Sequence, residues 1–129
     1  MTPAKLVGMP YRLGADPEKN GAVDCLHLAK TVLANYGIKT PEPTRSWYRK
    51  FRKGEYQIFK EELEKWGNKT EHSKIGTVGL CKSNEGFGLA VYWEEGWLSC
   101  EEWGVKWSPL EYLEVVERYY PMKHNFVTH

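Results

Sequence analysis

The feature that most constrains this chain is a single change of hydrophobic period near Ile75. Before it, apolar residues recur at spacings of three and four, as in Leu28, Ala29, Val32, Leu33 and Tyr36, and again in Ile58, Phe59, Leu63 and Trp66. That period belongs to helices with one buried side. After it come short runs rich in strand formers: Thr77–Cys81, Leu89–Trp93, Trp97–Cys100, Val105–Trp107 and Val115–Tyr120. Helices followed by strands on short turns predict an α+β fold, with N-terminal helices packed on a four- to five-stranded antiparallel sheet. A chain of 129 residues fits one such domain. We expect it to occupy residues 1–122, with 123–129 as a fraying tail.

Local signals set the boundaries. Thr2 and Pro3 predict a capped first turn running to about Val7 and stopped by Gly8. Pro10, Gly14, Pro17 and Gly21 make residues 9–23 a loop. Asp24 opens a helix that Gly37 ends, and Thr44 caps a second from Arg45 to Lys53, ended by Gly54. A third helix spans Tyr56 to Trp66, with Gly67 as its stop. Glu94-Glu95-Gly96 reads as a hairpin turn. Ser108-Pro109-Leu110-Glu111 has the form of a capping box opening a short helix to Leu113. Pro121 stops the last strand.

Charge excludes some function classes. Lys and Arg total 18 against 17 Asp and Glu, a net of +1, so nothing demands nucleic acid or an anionic membrane. Arg45–Lys53 concentrates basic residues among aromatics, but in a neutral chain it reads as a solvated helix face with its aromatics turned inward. Nucleic acid is therefore not an expected partner, and no apolar run has membrane-spanning length. The first residues lack a signal-peptide core, which points to a cytoplasmic or virion-associated protein. Three cysteines cannot all pair, so at least one thiol is free. Cys81 and Cys100 fall on strands and read as small buried residues. Trp93, Trp97, Trp103 and Trp107 suit either the sheet's core side or an interface, and about half are expected to be core.

Cys25 stands in the first turn of a helix that follows a Gly-rich loop. Backbone N–H groups and the helix dipole favour negative charge there, which is one way to lower a thiol pKa and to build half of an oxyanion hole. The alternative is a small residue packing the helix start.

The series Gly8-Met9-Pro10-Tyr11-Arg12-Leu13-Gly14, Gly21-Ala22-Val23-Asp24-Cys25, Gly37-Ile38 and Pro41 resembles the front half of the NlpC family, papain-like cysteine peptidases that act mostly on bacterial cell-wall peptides. The resemblance implies Cys25 as nucleophile, Tyr11 beside it near bound substrate, and Asp24 fixing the helix start and hydrogen-bonding the loop. Leu26 and His27 depart from the family's Ser-Gly.

The resemblance also locates a gap. The family's general base opens a His-Val-Gly-Ile-Tyr strand, matched here by Gly88-Leu89-Ala90-Val91-Tyr92, so Gly88 occupies the histidine position. Ser99 occupies the family's third polar position. His27 lies two residues beyond Cys25, about 200° around the helix, and faces elsewhere. His72 lies in the loop entering the sheet, and His124 and His129 lie in the tail. No Cys/His spacing suggests zinc, and no cofactor is expected. The expected function is a peptidase or amidase fold acting on or binding cell-wall peptides, with impaired or lost hydrolysis, in the setting of a tailed-phage particle. If active, it would hydrolyse peptidoglycan stem peptides. The alternative is a non-catalytic structural or protein-binding module of a particle or complex, its partners being neighbouring proteins.

Overall fold

The computed structural model describes residues 1–42, 44, 46, 48–49, 53–84 and 86–127. The fold is α+β. Helices α1 (Pro3–Leu6), α2 (Pro17–Asn20), α3 (Cys25–Asn35) and α4 (Tyr56–Trp66) precede or flank six strands. These are β1 (Gly67–Thr70), β2 (Val78–Ser83), β3 (Gly86–Trp93), β4 (Gly96–Glu101), β5 (Gly104–Pro109) and β6 (Val115–Pro121). They form one antiparallel sheet in the order β1-β6-β2-β3-β4-β5. No helix among the described residues is long and apolar enough to cross a membrane.

The core lies between the two layers. Helix α3 buries Leu26, Leu28, Ala29, Val32 and Leu33, and α4 buries Phe59, Leu63 and Trp66. They pack on Val78 and Leu80 of β2, Leu89 and Val91 of β3, and Leu98 of β4. Each of these large apolar side chains contributes roughly 1.5–3 kcal/mol when fully buried. Alternation turns Trp97 and Ser99 to the other side of the sheet, where the Trp97 ring lies beside Gly79 and beneath Arg118. Of the four tryptophans in the sheet half, Trp97 is buried, Trp93 half-buried, and Trp103 and Trp107 exposed.

Several local expectations need correction. The sheet has six strands because Gly67, expected only to stop a helix, begins β1 and pairs with Pro121. The approach is so close that a Cβ at Gly67 would run into the Tyr120 carbonyl. The 9–23 loop contains the one-turn α2, capped by the Asp16 carboxylate accepting from Glu18 N–H at 3.0 Å. Thr2 makes no side-chain cap bond. The Ser108 capping box does not form, because Ser108 and Pro109 pair with Trp97 and Gly96; only a 3₁₀ turn, Leu110–Tyr112, follows. The sheet's ladder prevails over one capping bond.

The tail is held as far as Val127: Val127 N–H donates to Gly37 O at 2.7 Å, and the Asn125 amide donates to Trp66 O at 3.1 Å. The Thr44-capped helix falls largely outside the described residues, with Arg45, Trp47, Lys50, Phe51 and Arg52 among those not described; Ser46, Tyr48 and Arg49 are helical.

Candidate active-site groove

Asp24 organises the start of α3. Its carboxylate is fully buried and accepts from Gly14 N–H at 2.8 Å and His27 N–H at 2.7 Å. The His27 ring adds a bond from Nδ1 at 3.0 Å, and Tyr48 adds its hydroxyl. This ties the Gly14 loop, the first helical turn and the Tyr48 segment to one anion. Burial and Asp24 together raise the Tyr48 phenol above its ordinary range. His27 is thus more than a half-buried surface residue. It faces away from the thiol, as its spacing predicts, and its ring completes the cap of the helix it sits on.

The loop is stitched to the same point. Val23 N–H donates to Pro10 O at 2.9 Å and Arg12 N–H to Val23 O at 3.2 Å, so Tyr11 bridges to the residue two before Cys25. The bridge brings the phenol beside the thiol. Burial, then Cys25 and Asp24, push Tyr11 up to about 12, so it is a neutral hydrogen-bonding hydroxyl at physiological pH.

Cys25 opens onto a groove where two strands part. β3 remains paired with β2 as far as Gly86, and β4 with β5 as far as Glu101. β3 and β4 pair with each other only from Trp93↔Gly96 to Ala90↔Ser99. Below that point they diverge, and the Leu89 backbone, no longer matched by β4, hydrogen-bonds the Cys25 sulfur. The resulting groove, of about 750 Å³, is lined by Cys25, Tyr11, Gly88 and Ser99, with Cys81 and Cys100. Four of the five residues singled out from sequence therefore converge, and Asp24 supports them from below.

Their chemistry differs from the expectation in one respect. The helix start does not lower the Cys25 thiol. Burial raises it well above the ordinary value, Cys100 and Asp24 add to the rise, and the Leu89 hydrogen bond opposes it only in part. A thiol only 7% exposed gains little from a helix dipole when desolvation disfavours the thiolate outright. Cys81 and Cys100 are free, half-buried thiols, each pushed up to about 12, chiefly by burial. They are not mere filler in the sheet, since both line the groove. Cys100 continues the phase of Leu98, which turns it to the helix side.

No histidine among the described residues lines the groove. His72 is exposed in the β1–β2 connection, its N–H donating to the Thr70 hydroxyl at 3.2 Å. His124 is exposed in a 3₁₀ turn, and His129 lies outside the described residues. A Cβ at Gly88 would meet no heavy atom within 4 Å, so the histidine position is open space. Ser99 is 7% exposed and its hydroxyl has no hydrogen-bond partner among the described residues. An orphaned buried hydroxyl is uncommon, and this one sits two residue positions from the empty one. No group of three or more His, Cys, Asp or Glu among the described residues could hold a metal ion. No protein-family model matches the sequence, and no curated protein matches it significantly.

Proposed function

We propose that this is a papain-like, NlpC-type domain whose groove binds a cell-wall peptide and does not hydrolyse it. The carrying observation is the convergence of Cys25, Tyr11, Gly88 and Ser99 on one groove with no imidazole in its lining. Thiol hydrolases need a thiolate and a base to make it. Here burial disfavours the thiolate and the base position is a glycine. Loss of general-base assistance alone is worth about 10²–10⁴ in rate.

What remains suits recognition of an extended peptide. The parted strands leave backbone groups along the groove, and Tyr11 adds a neutral hydrogen-bonding hydroxyl. A tailed-phage particle is one setting in which such a domain is delivered to the wall.

Calorimetric titration with a free stem tetrapeptide tests the binding half. Incubation with purified peptidoglycan, followed by mass spectrometry of released fragments, tests the other. Binding without cleavage, unchanged in Cys25→Ala, is expected. Cleavage that disappears in Cys25→Ala overturns the non-hydrolysing reading. Absence of peptide binding leaves the structural or protein-binding module.

A further inference from the structure

Peptide binding near Cys25 leaves the outer end of the groove unexplained. There the β4–β5 hairpin closes through Glu101↔Gly104 and presents Trp103 at its tip, 62% exposed. A solvent-facing indole on a binding groove is unusual enough to ask what it meets.

The mount is rigid. Val105 N–H donates to Met9 O at 2.9 Å and Gly8 N–H to Val105 O at 2.8 Å, which straps the N-terminal loop along β5. Gly104 has φ +148°, and a Cβ there would strike the Met9 carbonyl. The turn therefore cannot be remodelled cheaply, and the backbone that carries the ring is fixed.

Charge narrows the ligand. Lys82 and Lys106 oppose Glu101 and Glu102 in the lining, and Lys106 Nζ lies 3.4 Å from Glu101 Oε1. A phosphorylated or nucleic-acid ligand meets two carboxylates, and a cation meets two ammoniums. At the same end of the groove the Lys106–Glu101 pair offers both donors and acceptors. A flat aromatic face with charge-balanced hydrogen-bonding groups matches a sugar ring, which has an apolar C–H face and a hydroxyl edge. A volume of about 750 Å³ lies within the usual range for small-ligand sites.

We propose that the outer groove binds a neutral saccharide stacked on Trp103, with the Lys106–Glu101 pair among its hydrogen-bond partners. The inference rests on this groove being a binding site and extends its ligand beyond peptide.

The test is calorimetric titration of the full chain with chitotetraose, cellotetraose and maltotetraose, beside the free stem tetrapeptide. At least one saccharide is expected to bind at millimolar or lower concentration. Trp103→Ala should weaken it about tenfold or more, a change of about 1.4 kcal/mol, while Trp103→Phe keeps most of the affinity. Trp103 is exposed, so an unchanged thermal midpoint in both variants separates lost stacking from lost fold. No saccharide binding, affinity indifferent to Trp103→Ala, or equal loss in Trp103→Phe overturns the proposal. Peptide binding without saccharide binding removes this inference alone. Saccharide binding without peptide binding removes the peptide reading and leaves this one.

Discussion

Asp24 and Cys25 are neighbours in sequence and both are buried, yet their surroundings differ in kind. The Asp24 carboxylate collects donors from Gly14, from the His27 backbone and ring, and from Tyr48, so each element around it is tied down. The Cys25 sulfur has the Leu89 backbone, two other neutral thiols and an open glycine position. Past it, the buried Ser99 hydroxyl has no partner among the described residues. The donors that hold the helix start are all in place, whereas no imidazole among the described residues lines the groove beside the sulfur. A helix N-terminus by itself does not make a reactive cysteine, because desolvation of the sulfur opposes the dipole and wins.

The comparison breaks most easily at Asp24. Asp24→Ala leaves Gly14 N–H, His27 N–H and the ring donor unsatisfied in a buried site. Each orphaned donor costs about 1–3 kcal/mol, and the lost cap is worth about 1 more. A loss of about 3 kcal/mol or greater is expected from urea denaturation, with Asp24→Asn retaining part. A loss below about 1 kcal/mol would mean that the network does not hold the fold.

The thiol side responds to pH with a definite sign. Unfolded thiols titrate near their ordinary value of about 8.5. In the fold Cys81 and Cys100 stay protonated to about 12, and Cys25 is raised as well. A raised folded value means that only the unfolded chain releases these protons as pH climbs. Their stabilising contribution is whole below about pH 8.5 and is lost progressively toward about 12. Urea midpoints measured between pH 7 and 10 should therefore fall, and fall less steeply in a Cys81→Ala/Cys100→Ala variant. Parallel curves for the two proteins would contradict the assigned burial.

How much of this was legible in the sequence depends on whether the cause is local. The period change near Ile75 and the Asp24 cap follow from spacing and turn chemistry, whereas the grouping of Tyr11, Cys25, Gly88 and Ser99 is implied only by the NlpC resemblance. β1 does not follow from either: Gly67-Asn68-Lys69-Thr70 has no apolar alternation and becomes a strand only because Arg118–Pro121 pair with it. The tail docks for a similarly non-local reason, through Phe126 bridging to Ile38 and packing near Tyr120. The thiol's raised pKa is a property of what three separate elements bury, which no residue spacing encodes. Cys100 was readable in part, since alternation from Leu98 fixes its side of the sheet.

On the proposed reading, Gly88→His asks whether a base at this position activates the thiol. The position has room for a side chain and lines the same groove as Cys25. Strand alternation gives Gly88 the phase of Ala90, away from α3, at the point where β3 and β4 part. Peptide mapping after iodoacetamide treatment at pH 7 should show Cys25 alkylated about tenfold faster than in the parent, with Cys81 and Cys100 unchanged; that factor is about 1.4 kcal/mol of thiolate stabilisation. An unaltered Cys25 rate would place the block in burial alone.

The smallest effect lies at the hairpin far from both residues. Glu94 and Glu95 occupy the two-residue turn between Trp93 and Gly96 with φ of 51° and 57°. Two consecutive left-handed residues define the turn that Asn-Gly fills best, and side chains such as glutamate pay about 1–2 kcal/mol per residue for that conformation. Gly96, next in line, runs so close to β5 that a Cβ there would collide with Ser108 O. Glu94→Asn/Glu95→Gly should stabilise the fold by about 1 kcal/mol, read as a raised urea midpoint at unchanged slope, since part of the relief is offset by the freer unfolded glycine. Because the turn touches neither Asp24 nor the groove, Cys25 alkylation should not change. A changed alkylation rate would mean that the β3–β4 hairpin sets how far the strands part, and that the silent side of the helix start is governed from the sheet.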